Sequence, residues 1–202
     1  VRCSCKAGED AERLQRISGL NAEERKIKLA DIEIASRPAT VEMVKSCELF
    51  LKEPFGFLTL WGGPGNAKTM ALQAVVNDLL NCRRSAVYVT AFDLISFIRS
   101  AFDGQRNVMN DNAYERLLRF ERVDVLAIDE FDKLRVTDWV MEQLTDLIDR
   151  RYRGGISGLS GTLIAMNSDP KEQNEWIASR LFDGRNRVIH NTDSDIRSKL
   201  ER

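Results

Sequence analysis

Apolar residues recur along this chain in two alternating rhythms. Short runs dense in apolar and β-branched residues, FGFLTLW (55–61), SAVYVTA (85–91), VDVLAIDE (123–130), GTLIAMN (161–167) and NRVIHN (186–191), have the length of strands. Longer stretches between them carry helical spacing. PATVEMVKSCELFLKE (38–53) aligns Val41, Val44 and Leu49, with Thr40 as the expected cap, and KTMALQAVVNDLLNC (68–82) aligns Leu72, Val75, Val76, Leu79 and Leu80. FDLISFIRSAF (92–102), NDNAYERLLRFE (110–121), TDWVMEQLTDLIDRRY (137–152) and KEQNEWIASRLF (171–182) complete the predicted helices. Five buried-looking strands separated mostly by helices predict an α/β fold, a five-stranded parallel sheet flanked by helices on both faces. Residues 1–37 lack a sustained apolar period and read as a linker or arm, in which only NAEERKIKLADIEI is expected to fold onto something, leaving 38–202 as the domain.

Composition narrows the class. The 202 residues suit one domain, and 30% charged with 43% hydrophobic residues at a net charge of -1 is an ordinary soluble balance. Global charge does not advertise a polyanion partner, so any nucleic-acid contact must be local or shared between subunits. No apolar run is long enough to span a bilayer and the first residues lack the order of a signal peptide, which predicts a cytoplasmic protein with no membrane partner. The chain opens on valine, so the natural N-terminus is expected upstream. Cys47 and Cys82 fall in apolar helical patterns and read as small buried thiols. Cys3 and Cys5 form a C-x-C pair, half of what a structural zinc needs.

In parallel sheets ligands bind beyond the carboxyl ends of the strands, and the chemically suggestive residues fall there. WGGPGNAKT (61–69) has the order of a phosphate-binding loop between a strand and a helix. Gly62, Gly63, Pro64, Gly65, Asn66 and Ala67 would present backbone N–H groups to phosphate oxygens at the positive end of the helix. Lys68 would reach the β- and γ-phosphates and the Thr69 hydroxyl would ligate Mg²⁺. A glycine-rich turn with a chance Lys-Thr is the competing reading. Ala67 stands where the motif asks for a second glycine, and we expect the loop to keep φ negative there, as a stiffened but working ATP site. An acidic pair ends the VLAIDE strand. Asp129 would hold Mg²⁺ and Glu130 would orient and deprotonate the attacking water, against a plain salt-bridging role before FDKLR. Asn167 ends the next strand, where its amide could hold water or the γ-phosphate, although a turn asparagine explains it equally simply. Arg180, in IASRLFDGR, is a candidate for a phosphate contact from a neighbouring subunit.

Together WGGPGNAKT, VDVLAIDEFDK, GTLIAMN, ASRLFDG and the closing DIR, with YVTAFDLISFIRSAF after the second strand, resemble the DnaC/DnaI-type bacterial helicase loaders of the AAA+ ATPases and their relatives among transposition helper ATPases. The likeness runs over about residues 20–202 and implies an AAA+ P-loop NTPase core. Lys68 and Thr69 look like the Walker A pair, Asp129 and Glu130 the Walker B pair, and Asn167 the first sensor. Arg180 resembles the arginine finger and Arg197 the second sensor. Ala67 departs from the family pattern, which bears on the rate of hydrolysis more than on nucleotide binding. Cys3 and Cys5 are similar to the last ligand pair of a zinc-ribbon adaptor, whose first pair would precede Val1 and complete a Zn²⁺ site. Phe97, Arg99 and Phe102 lie on the helix that lines a single-strand path in loaders, or are core. DRRYRGG (149–155) reads as a solvated basic helix end or a second nucleic-acid contact. The resemblance implies an oligomeric ATPase in DNA replication, with ATP between subunits of a homo-oligomer, a replicative DNA helicase as partner and single-stranded DNA as ligand. The alternatives are a transposition helper on duplex DNA and a non-hydrolysing module in which ATP only sets assembly.

Overall fold

The computed structural model describes residues 19–100, 113–134 and 137–196. Five strands, β1 (Gly56–Trp61), β2 (Ala86–Thr90), β3 (Val125–Asp129), β4 (Gly161–Met166) and β5 (Arg187–His190), form one sheet in the order β2-β3-β4-β1-β5. Every pairing is parallel. Each strand matches one of the predicted runs. Helix α1 (Pro38–Lys52) leads into β1, and parallel neighbours need crossovers, which the later helices supply: α2 (Lys68–Asn81), α3 (Ala91–Arg99), α4 (Ala113–Arg122), α5 (Asp138–Ile156) and α6 (Glu175–Leu181). The segment predicted as one helix over 171–182 is instead a 3-10 turn (Pro170–Glu172) followed by α6, because Asn174 caps the N–H of Trp176 with its side chain and starts the helix afresh.

The pleat divides the core in two. On one face Leu58, Leu60, Ala127, Leu163 and Ala165 meet Met43, Cys47 and Phe50 of α1 and Leu72, Val75, Val76 and Leu79 of α2. On the other, Phe57, Leu126, Ile128, Ile164 and Met166 meet apolar residues of α3 to α6. Both faces of β3 and β4 are therefore buried, as their unbroken apolar runs require. Part of the predicted arm belongs to this packing. Leu20, Leu29 and Ile32 are buried in the first cluster, while Asn77 of α2 donates to the carbonyls of Glu24 (2.7 Å) and Ile27 (2.9 Å).

Several local expectations are corrected. Thr40 does not cap α1: Pro38 opens the helix, and Thr40 lies buried inside it, its N–H and hydroxyl both donating to Asp193 (2.7 and 2.8 Å). Cys47 is buried and its thiol is pushed up to about 12 by burial and then by Glu48, but Cys82 is exposed because it follows the last turn of α2. The DRRYRGG cluster is not simply a solvated helix end. Arg151 is 1% exposed, Arg150 pairs with Asp146 and Glu121, and Arg153 with Asp149. Arg151 spends its guanidinium on the backbone carbonyls of Phe120, Glu121, Val123, Asp124 and Gly161 and on the Thr162 hydroxyl. Cys3, Cys5, Phe102 and Arg197 lie outside the described residues. No helix among the described residues is long and apolar enough to cross a membrane.

Candidate nucleotide site

At the carboxyl edge of the sheet a cleft of about 400 Å³ brings together Pro64, Gly65, Asn66, Ala67, Lys68 and Thr69 with Asp129, Glu130 and Asn167, and Lys133, Met166 and Ile196 complete its lining. The size falls among small-molecule sites, and its lining combines loop backbone and the Lys68 and Lys133 ammonium groups with the carboxylates of Asp129 and Glu130. Gly62 and Gly63, expected to bind phosphate, are not among the residues that line the cleft. The Lys68 ammonium folds onto the loop, donating to the carbonyls of Gly62 (2.6 Å) and Gly63 (2.7 Å) and to Oδ1 of Asn66 (2.9 Å). These are contacts that an incoming phosphate would replace.

Ala67 overturns the expectation of negative φ. It precedes the first residue of α2 at φ 68° and ψ 13°, the left-handed geometry a glycine adopts freely. Hydrogen bonds hold the backbone on either side: the Asn66 carbonyl accepts from Asn191 Nδ2 (3.0 Å) and the carbonyl of Ala67 accepts from Ala71 N (3.0 Å). Left-handed backbone costs alanine about 1 kcal/mol, and the buried methyl group recovers a similar amount within the first core cluster.

Asp129 is 4% exposed, and both of its oxygens are held: Oδ1 accepts the N–H of Glu130 (2.8 Å) and Oδ2 the hydroxyl of Tyr88 (2.9 Å). Burial above all, then the charge and bond of Asp129, push the Tyr88 phenol well above its ordinary range, so it stays a donor. Glu130 also takes a left-handed backbone, φ 54°, which turns its side chain toward the cleft, where Lys133 engages its carboxylate. That bond, first among its causes, holds the Lys133 ammonium above its usual value. Asn167 is placed by its backbone: Asp132 accepts the N–H groups of Asn167 (3.0 Å) and Ser168 (2.8 Å).

Sequence reasoning missed the strap after β5. Asn191, fully buried, exchanges bonds with Asn66 in both directions and also donates to Thr40. Ile196 N donates to the Gly65 carbonyl (2.9 Å), and the Asp195 carboxylate lies where a side chain on Gly65 would project. Asn191 could have been found by its place at a strand end; Tyr88, Asp132 and Lys133 carry no spacing signal.

Arg180 is not in the cleft. It lies on α6, its guanidinium 3.6 Å from the Trp176 ring centre and 3.5 Å from Asp149. On α3, Phe97 packs edge-on against Phe120 (5.7 Å) and Arg99 lies over Trp139, while the exposed aromatic is Phe92. Asp129 and the exposed Thr69 hydroxyl line the same cleft as hard oxygen donors, a set that fits Mg²⁺ beside a phosphate-binding loop.

The AAA profile, described as the ATPase family associated with various cellular activities, matches residues 58–182. The chain belongs to this family. Among curated proteins, the replicative helicase loader DnaC of Buchnera aphidicola subsp. Baizongia pistaciae is 35% identical over 123 residues, covering 60% of this chain and 47% of that protein. Overall the chain spans about half the length of the curated relatives it matches. A solved DnaC helicase loader superposes with a TM-score of 0.68 at 18% identity, over 85% of this chain and all of that one. The replication initiator DnaA bound to AMPPCP and single-stranded DNA gives 0.71 at 17% identity, over 91% of this chain and 56% of that one. Both likenesses establish a shared fold.

Proposed function

We propose that this AAA protein binds and hydrolyses Mg-ATP and acts in DNA replication as a helicase loader that binds single-stranded DNA. The observation that carries the reading is the convergence of the loop, Asp129, Glu130 and Asn167 on one cleft, in a chain whose sequence relatives include DnaC loaders. Backbone N–H groups of residues 65–68 bind the phosphates, and Lys68 leaves the carbonyls of Gly62 and Gly63 to neutralise them. Thr69 and Asp129 hold Mg²⁺, which supplies charge neutralisation on the phosphate oxygens. Glu130 releases Lys133, orients the attacking water and accepts its proton as the water oxygen bonds to the γ-phosphorus and the bond to the β–γ bridging oxygen breaks, releasing ADP, while Asn167 fixes that water by its amide. Arg180, displayed on α6 away from its own cleft, serves the site of the next subunit of a homo-oligomer. Arg197 is proposed as the second sensor, and Cys3 and Cys5 as half of an adaptor zinc site. The partner is a replicative helicase.

Glu130→Gln tests the core of this reading. Turnover should fall about 10²- to 10⁴-fold while ATP affinity is kept, and ATP should become trapped in assemblies on single-stranded DNA. Turnover at the parent rate removes the assigned base, and assembly on duplex in preference to single strands moves the protein to the transposition-helper class.

A further inference from the structure

We infer that Tyr88 is a positioning residue for the metal-binding carboxylate: from the neighbouring strand its hydroxyl fixes Oδ2 of Asp129 and so sets the Mg²⁺ affinity of the cleft. The inference rests on the proposed role of Asp129. β2 and β3 run parallel with Thr90 opposite Asp129 and Tyr88 opposite Ala127, which brings the phenol oxygen to 2.9 Å from Oδ2. The N–H of Glu130 holds Oδ1 at the same time, so the carboxylate is gripped at both ends. Each carboxylate oxygen can accept about two hydrogen bonds, so the grip leaves acceptor sites for a metal ion or its water.

β2 is an edge strand, yet Tyr88 is only 8% exposed, and Leu20, Leu29 and Ile32 of the preceding segment share its core cluster. A phenylalanine would fill the same apolar space. What tyrosine adds is one hydroxyl, delivered to the one buried carboxylate of the cleft. A carboxylate free to rotate must be ordered when the metal arrives; one already gripped is not, and outer partners of metal ligands tune affinity in this way.

Tyr88→Phe keeps the ring and removes the donor. Binding of a fluorescent ATP analogue is titrated with Mg²⁺ and repeated in chelator, with melting followed alongside to establish that the variant is folded. Affinity in chelator is expected to match the parent, while the half-saturating Mg²⁺ concentration rises about tenfold or more. In an Asp129→Ala background the same substitution should add no further shift. A half-saturation point equal to the parent's, or a shift that persists in full without Asp129, overturns the proposal and leaves the hydroxyl a structural partner. A parent protein whose nucleotide binding ignores Mg²⁺ overturns the metal site itself, a failure distinct from that of Tyr88.

Discussion

Two buried cations hold backbone carbonyls at opposite ends of the sheet, to different ends. At the amino-terminal edge Arg151 is locked by carbonyls from the approaches to β3 and from Gly161 at the start of β4, and by Thr162. Its planar fork reaches two chain segments at once, and burial pushes its pKa down to about 10 despite the nearby Asp124 and Glu121. At the carboxyl edge Lys68 holds carbonyls of its own loop, with a point charge and three rotatable donors. The arginine joins separate segments; the lysine closes a local loop at the seat proposed for phosphate. In the proposed function a cation can serve a ligand where its protein partners are local and replaceable.

Breaking the permanent clasp should have the largest effect on folding. Arg151→Met leaves several buried carbonyls without donors, and we expect a loss of about 3–5 kcal/mol in denaturant unfolding, with a melting midpoint lower by roughly 10 °C. Nucleotide affinity of the folded fraction should be unchanged. Lys68→Ala reverses the pattern: calorimetric ATP affinity falls about 10- to 100-fold, the worth of losing bonds to a charged group, with a change in stability of about 1 kcal/mol or less. Equal stability losses in the two variants would erase the distinction. The smallest effect is expected at Ala67, beside the exchangeable lysine. Ala67→Gly relieves about 1 kcal/mol of left-handed strain and loses a similar methyl burial, so unfolding should move by less than about 1 kcal/mol and ATP affinity hardly at all. A large gain in affinity would show that the loop rearranges at residue 67 on binding.

The same contrast explains what was legible in the sequence. The loop, the acidic pair and Asn167 follow local rules of spacing and strand ends, and residues 64–69 of the loop line the cleft with Asp129, Glu130 and Asn167. Arg151 lay inside a basic stretch that reads as solvated, because its partners are carbonyls from 10 to 31 residues away and a carbonyl has no letter of its own. The positive φ at Ala67 escapes spacing rules for a related reason: the loop beside it is braced by Asn191, distant in the chain.

By itself the sequence determined the alternation of strands and helices, the parallel sheet and the place of the candidate phosphate loop, since periodicity and motif spacing act over a few residues. Only the tertiary structure decided that Tyr88 grips Asp129, that Asn191 braces the loop, that Lys133 occupies Glu130 and that Arg180 stands away from its own cleft. Hydrogen-bond partners and burial depend on which strands become neighbours. The order β2-β3-β4-β1-β5 puts β5 beside β1 and so carries Asn191 to the loop, an adjacency created by folding.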